Sequence, residues 1–223
     1  MKEYELGPNG AILTCLNLFA TRVDQFLGLL QERRSEVTHY LIDTPGQIEA
    51  FTWSASGSVL TQSLSSHFPT IILYIVDTPR CVSSASFMSN MLYACSVLTR
   101  SQLPFVLVFN KTDLHSAKQC QEWMQDYESF ADYTENDESY MAGWSRSMAL
   151  VLEALYQTVP SVGVSSFTQE GMSELEEALR VAEQLYFQST FVEWQEKWSK
   201  HQADLERTQA VERAKVKKDM TSS

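Results

Sequence analysis

The apolar stretch Leu103-Pro-Phe-Val-Leu-Val-Phe109, followed at once by Asn110-Lys-Thr-Asp113, decides the fold of this chain. An apolar run of this length that ends abruptly in polar residues indicates a strand buried in an open α/β sheet. Ligands of such sheets lie beyond the carboxyl ends of the strands. The polar tetrapeptide that ends the run is therefore the first candidate for a binding site.

The chemistry of this tetrapeptide suits guanine. A carboxylate at Asp113 can accept two hydrogen bonds at once, from the ring N1–H and from the exocyclic amine. Adenine has no N1–H and would leave that carboxylate desolvated and unpaired, at a cost of roughly 1–3 kcal/mol or more. The stem of Lys111 can cover one face of the base, Asn110 can brace the loop, and Thr112 completes the motif. The alternative is a turn in which Asp113 caps a helix that starts near Ser116.

A second motif lies upstream, where His39-Tyr-Leu-Ile-Asp43 predicts a short strand that runs into Thr44-Pro-Gly-Gln47. An Asp at a strand tip, here Asp43, can hold Mg²⁺ through water. Gly46 allows a backbone N–H to approach a terminal phosphate, and Gln47 is placed to orient a water molecule. The alternative is a Pro-Gly turn that joins a strand to a helix.

A third element lies downstream. Ser161-Val-Gly-Val164 predicts a short final strand, followed by Ser165-Ser166 and the turn Gln169-Glu-Gly171. In GTP-binding folds such a loop offers backbone N–H groups to the guanine oxygen. Any loop between a strand and a helix looks similar. This loop therefore supports a nucleotide site only because it follows the other two motifs in the chain.

With these motifs and with Gly7-Pro8-Asn9, the chain resembles the GPN-loop GTPases, a family of P-loop GTPases. The resemblance implies that Asn9 reaches into the nucleotide site of a dimer partner, where its amide would donate to a phosphate and do part of the work of an arginine finger. The alternative is a Pro-Asn turn before a helix that begins near Ile12. The segments that look closest to the first eukaryotic paralogue are 16–22, 43–49, 51–57 and 87–95.

The resemblance also implies cofactors, partners and a location. GTP and Mg²⁺ would be bound, and GTP would be hydrolysed by a dimer with a paralogue or with a second copy. The first eukaryotic paralogue is associated with nuclear import of RNA polymerase II. The resemblance therefore implies RNA polymerase II as a partner, and a cytoplasmic protein that shuttles to the nucleus.

The chain departs from the family in one major respect, and in a minor one at Ser166, where the guanine loop of such proteins usually has Ala. P-loop GTPases carry G-x-x-x-x-G-K-[ST], whose amides and Lys cradle the phosphates, and no Gly-Lys dipeptide occurs in these 223 residues. Since the family carries that motif upstream of the GPN loop, we expect an N-terminally truncated form that lacks the first strand and the phosphate loop. Losing three such contacts removes roughly 5–9 kcal/mol of binding free energy. We therefore expect a poor GTPase, or alternatively a catalytically dead module that pairs with a full-length paralogue.

Composition bounds the fold. With 223 residues, 44% of them hydrophobic, one α/β domain is expected, and a net charge of −11 argues against direct binding to nucleic acid or anionic membranes.

We predict a three-layer P-loop-type α/β fold with a mostly parallel sheet in residues 1–187, and a charged helical extension in 188–223. Helices are predicted over 12–33, 48–64, 83–100, 116–131, 143–157 and 171–187, and strands over 38–43, 70–77, 104–109 and 160–165. Asp77 is interpreted as a helix cap before Ser83.

Overall fold

The computed structural model describes residues 6–135, 139–156, 158–190 and 192. Most of the predicted 188–223 extension therefore lies outside the described residues. Among the residues that the structure describes, no helix is both long and apolar enough to cross a membrane.

In the described part of the chain, three parallel strands form the sheet, in the order β1 (Ile72–Asp77), β2 (Phe105–Asn110) and β3 (Ser161–Gly163). The central strand β2 contains most of the apolar run 103–109 and ends at Asn110, and its first five residues are buried. In the register of the sheet Asp77 lies beside Asn110, and Phe109 lies beside Gly163. The predicted parallel α/β architecture is confirmed, and it brings the ends of all three strands to one edge.

The helices follow the predicted pattern but several are divided. The helix predicted over 116–131, for example, divides at Asp126, whose extended backbone ends one helix and whose side chain accepts a hydrogen bond from Glu128 N at the start of the next. The helices are α1 (Pro8–Ala20), α2 (Val23–Glu32), α3 (Ile48–Thr52), α4 (Ala55–His67), α5 (Ser84–Ser101), α6 (Lys118–Gln125), α7 (Tyr127–Thr134), α8 (Tyr140–Tyr156) and α9 (Met172–Leu185).

The predicted strand over 38–43 is wrong. Its backbone makes no strand ladder in the described part of the chain, and β1 pairs with β2 alone. Leu41 is 90% exposed and Ile42 is 46% exposed, so the segment buries little apolar surface. A strand is held by hydrogen bonds to a neighbouring strand and by packing of its side chains, and within the described residues this segment pairs with no strand. Tyr40 is anchored through a hydrogen bond from its hydroxyl to the Leu30 carbonyl and through an edge contact of its ring with the ring of Phe68.

The core occupies both faces of the sheet, because successive side chains of β2 point to opposite sides. Phe105, Leu107 and Phe109 pack under the helices α5 to α8, and Val106 and Val108 pack under α9. The first cluster holds the aromatic side chains Phe87, Trp123 and Phe130 among others. Helices on both faces of a parallel sheet make the three layers that the sequence predicts.

The cysteines differ sharply in exposure. Cys81 and Cys120 are 0% and 3% exposed, and the Cys120 thiol donates to the Cys81 carbonyl at 3.8 Å. A hydrogen bond with Cys120 and burial together raise the pKa of the Cys81 thiol. Cys15 is exposed and Cys95 is half-buried.

An aromatic disulfide reagent is therefore expected to modify Cys15 fastest, Cys95 more slowly, and the two buried thiols only on unfolding. The reason is that the reagent must reach the sulfur, and Cys81 and Cys120 are buried beneath the surface. Release of the coloured thiol over time measures this, with and without denaturant. The Cys15→Ser variant should lose the fast phase alone, and four equal rates in native buffer would contradict the expectation.

Candidate functional site

The candidate site is built where the carboxyl ends of the three strands meet. Thr78, which is fully buried, donates its hydroxyl to the Asn110 carbonyl at 2.6 Å and so ties the end of β1 to the end of β2. Val164 N donates to the Phe109 carbonyl at 2.8 Å, and Thr112 N donates to the Val164 carbonyl at 3.1 Å. The loops that follow β2 and β3 are therefore held together by backbone hydrogen bonds.

Asp113 is fixed by the loop that follows β3. Its Oδ1 accepts a hydrogen bond from Ser165 Oγ at 2.6 Å, and Ser165 Oγ in turn accepts one from Thr168 N at 3.1 Å. Ser165 is fully buried, whereas the Asp113 side chain is exposed. A carboxylate has about four lone-pair sites. Asp113 is thus held in one orientation and keeps acceptor sites for a ligand.

The alternative role of Asp113 as a helix cap is wrong. The next helix, α6, begins at Lys118 rather than near Ser116. Its N-cap residue is Ala117, and no side chain caps it. The Asp113 carboxylate is committed to the Ser165 hydroxyl instead.

Asn110 joins the two loops. Its Oδ1 accepts from Lys111 N at 2.8 Å and from Ser166 N at 3.2 Å. The Ser166 backbone N–H, which the sequence assigns to a guanine oxygen, is engaged by Asn110 in this structure. Asn110 therefore holds the two loops together, in agreement with the prediction that it braces the loop.

Lys111 is held at both ends. Its backbone has φ +68°, in the left-handed region that few residues with a side chain adopt. Its Nζ lies 2.7 Å from Asp77 Oδ2, and Arg80 Nε lies 3.5 Å from the same oxygen. The interpretation of Asp77 as a helix cap is wrong, because its side chain caps no helix and pairs with these cations. Sequence reasoning missed this role, although an acid at the tip of the strand beside Asn110 was the available signal.

Small residues let the loops approach each other. A Cβ added at Gly163 would lie 2.9 Å from Ala117 Cβ and 3.2 Å from Thr112 Cγ2. Gly171 has φ +79°, and a Cβ there would lie 2.1 Å from the Gly163 carbonyl oxygen. Thr112 Oγ1 is buried with no hydrogen-bond partner among the described residues, so this side chain fills space between the loops.

The residues predicted to handle phosphate and metal lie on a separate segment. Asp43 and Gly46 are exposed, and Gln47 is half-buried at the start of α3, where its side chain makes no cap. A Cβ added at Gly46 would meet nothing within 4 Å, so the described structure does not itself require a glycine there. Within the described ranges, no hydrogen bond or ion pair joins Asp43, Gly46 or Gln47 to the loops that carry Asn110 and Asp113.

The fit to Mg²⁺ is limited on this chain. In the part of the chain that the structure describes, no group of three or more His, Cys, Asp or Glu side chains could hold a metal ion. Mg²⁺ is commonly bound by one or two carboxylates together with waters and substrate phosphates. Asp43 is a single exposed carboxylate, which is compatible with the prediction that it holds Mg²⁺ through water. The phosphates of the nucleotide and further waters would supply the other ligands of the metal.

The Gly7-Pro8-Asn9 motif starts α1 and is exposed. Gly7 is the N-cap residue and Pro8 occupies the first turn, where its fixed φ and missing N–H suit a helix start. The helix thus begins at Pro8 rather than near Ile12, so the alternative of a turn before the helix is wrong. The Asn9 amide is displayed to solvent on the first turn of a helix.

One face of α1 forms an open apolar cleft beside the segment that carries Gly46 and Gln47. The cleft has a volume of about 430 Å³. Its lining residues are Ala11, Ile12, Cys15, Leu16, Phe19 and Pro45.

The chain matches the model of a protein family. The model of a family described as "conserved hypothetical ATP binding protein" matches residues 1–185 of this chain. That range contains every candidate residue described above.

Two curated relatives match at high identity. GPN-loop GTPase 1 of Dictyostelium discoideum is 46% identical over 224 residues, which cover 100% of this chain and 56% of that protein. GPN-loop GTPase 1 of Saccharomyces cerevisiae is 50% identical over 184 residues, which cover 78% of this chain and 48% of that protein. The predicted likeness to the first eukaryotic paralogue is confirmed. The chain spans about half the length of these relatives.

A solved structure shares the fold. The apo crystal structure of a GTPase from Pyrococcus abyssi superimposes with a TM-score of 0.69 at 22% identity, over 81% of this chain and 73% of that chain. The fold prediction agrees with this likeness. The family model matches residues 1–185 of the 223, and two proteins named GPN-loop GTPase 1 are 46% and 50% identical to the chain. The chain therefore belongs to the GPN-loop GTPase family.

Proposed function

We propose that this chain is the guanine-recognising part of a GPN-loop GTPase that binds and hydrolyses GTP. The observation that carries the proposal is the hydrogen bond from Ser165 Oγ to Asp113 Oδ1 at 2.6 Å, which fixes a carboxylate at the carboxyl edge of the sheet. A carboxylate held in place before the ligand arrives loses little conformational entropy on binding. The N1–H and exocyclic amine of guanine supply the two donors that such a group accepts.

The other candidate residues then have separate roles. Lys111 covers a face of the base, while Asn110, Thr112 and Ser166 shape the loops around it. Gly46 offers its N–H to a terminal phosphate, Gln47 orients the attacking water, and Asp43 is the residue that would hold Mg²⁺ through water. When bound with the nucleotide, Mg²⁺ neutralises charge that develops on the phosphate oxygens.

We propose further that the protein acts as a dimer with a paralogue or with a second copy. The exposed Asn9 at the start of α1 is suited to donate to a phosphate in a partner's site. The apolar cleft along the same helix offers surface for the contact. By resemblance we propose a role in the assembly or nuclear import of RNA polymerase II, in a protein that moves between cytoplasm and nucleus.

The alternative is an interaction module without a working site of its own. A polypeptide of these 223 residues alone would lack a Gly-Lys dipeptide, and so the lysine that the phosphate cradle of P-loop GTPases needs. Such a module would keep Asn9 and α1 for a full-length paralogue while contributing no turnover.

Turnover measurements test what this polypeptide does alone and what Asn9 contributes to a paralogue. The purified chain is expected to release no measurable phosphate from GTP, and a full-length paralogue is expected to gain turnover in its presence only if Asn9 is intact. The test is a phosphate-release assay with the wild-type chain and the Asn9→Ala variant. Gln31→Ala, which removes an exposed amide on α2, is the matched control. Turnover by the isolated chain would contradict the expectation for this polypeptide, and equal stimulation by Asn9→Ala would contradict the role of Asn9.

A further inference from the structure

A pair of side chains bridges the tips of β1 and β2 beside the proposed base site. Asp77 ends β1, and its Oδ2 lies 2.7 Å from Lys111 Nζ. We infer that Asp77 is a positioning residue for nucleotide recognition, which holds the stem of Lys111 over the base that Asp113 reads. This inference rests on the proposed guanine site and adds to it a residue from the neighbouring strand.

The geometry fixes Lys111 at both ends. Its backbone N–H donates to Asn110 Oδ1 at 2.8 Å, and its φ of +68° sets the direction in which the side chain leaves the loop. Its ammonium is held by Asp77, which lies beside Asn110 in the register of the sheet. A lysine stem fixed at both ends presents its methylene groups as a surface, and it has already lost the rotamer freedom that binding would otherwise remove.

The burial of Asp77 distinguishes this pair from an ordinary surface ion pair. Its side chain is 30% exposed, and its Oδ1 is buried with no hydrogen-bond partner among the described residues. Exposed ion pairs are held weakly and do not bury an oxygen in this way. Arg80 contributes less to the same carboxylate, because its side chain is 85% exposed and its Nε lies 3.5 Å away.

The ion pair with Asp77 also determines whether Lys111 contacts the base or the phosphates. The charge of the Lys111 ammonium is balanced by the Asp77 carboxylate 2.7 Å away, so the ammonium attracts phosphate only weakly, whereas the lysine stem remains apolar. Asp77 should therefore influence the preference for the base, and its effect should not depend on the number of phosphates.

The test is a double-mutant cycle on the full chain, with the ratio of GDP to ADP affinity as the readout. This ratio cancels the effect of changed charge on the phosphates. Saturation-transfer NMR, which detects weak binding, monitors the titration of the chain with each nucleotide.

Asp77→Ala is expected to reduce the preference for GDP about two- to fivefold in the wild-type background and to have no effect in the Lys111→Ala background. Asp77→Glu should restore part of the preference, and Arg80→Gln should leave it unchanged. Asp77→Asn replaces Asp77→Ala if the alanine variant folds poorly.

The outcomes separate the two proposals. A wild-type chain without a preference for GDP would overturn the guanine site and this inference with it. A wild-type preference that Asp77→Ala leaves intact, or lowers equally with and without Lys111, would overturn the inference alone. A second measurement needs no nucleotide: the ¹⁵Nζ signal of Lys111 is expected to shift in Asp77→Ala but not in Arg80→Gln. An unchanged signal in Asp77→Ala would overturn the positioning role.

Discussion

Replacing Asp113 with asparagine is expected to transfer the base preference of the chain from guanine to xanthine. The asparagine amide oxygen can accept from the base N1–H, but its NH₂ group then faces the exocyclic amine of guanine, where two donors meet. Xanthine carries a carbonyl at that position and accepts from the same NH₂ group. The lost charge-assisted hydrogen bond and the unpaired donors should weaken guanine binding by about 2–4 kcal/mol, or about 30- to 1000-fold.

The loop should survive this substitution. Ser165 Oγ donates to Asp113 Oδ1 at 2.6 Å, and an amide oxygen with two lone pairs can accept that bond together with the base N1–H. The change should therefore appear in binding rather than in folding.

Titration of the full chain with GDP, XDP and ADP measures the change in preference. Asp132→Asn removes an exposed carboxylate on α7 and serves as the matched control, which should bind the three nucleotides as the wild-type chain does. Unaltered preference in Asp113→Asn would contradict the guanine site. So would a wild-type chain that binds ADP and GDP equally, a comparison made pertinent by the ATP-binding description of the family model.

Replacing Phe87 with alanine should cause the largest loss of stability. Phe87 is 0% exposed, and its ring centroid lies 5.1 Å from that of Trp123, 5.9 Å from that of Phe130 and 6.5 Å from that of Tyr156. It thus joins α5 to α6, α7 and α8 above the sheet. Truncating a buried Phe removes its transfer free energy and leaves a cavity, which together cost about 3–5 kcal/mol.

Urea denaturation followed by near-ultraviolet circular dichroism measures this loss, and thermal denaturation should show a fall in Tm of about 10 °C. Phe167→Ala is the matched control, since that ring is 88% exposed and its removal should change the free energy of unfolding by less than about 0.5 kcal/mol. Similar losses for the two variants would show that Phe87 does not hold the helical layer together.

Local patterns were sufficient for most of the fold. The apolar composition of β1 and β2, each ended by polar residues, predicted two strands over 70–77 and 104–109, and the structure pairs them in parallel over 72–77 and 105–110. The helix over 84–101 was predicted within one residue at each end. Its start is set by Ser83, whose hydroxyl accepts from Ser86 N, a signal carried by residues three apart in the chain.

Two predictions failed for a common reason. The segment 38–43 has the composition of a strand but no neighbour to pair with in the described part of the chain. Asp77 has the position of a cap, but Lys111 lies 2.7 Å from it across the sheet. In each case the outcome depends on what stands beside the residue in space, which composition and spacing do not contain.

The residue types predicted a carboxylate at Asp113 that accepts hydrogen bonds just after a buried strand, and the structure places Asp113 there with Ser165 Oγ donating to its Oδ1. Tertiary structure alone decided how that carboxylate is held. Ser165 lies 52 residues from Asp113, and Lys111 lies 34 residues from Asp77, and both pairs meet because parallel strands end at one edge of the sheet. Hydrogen bonds and ion pairs act over a few ångströms, so partners distant in the chain are fixed only when the sheet has assembled.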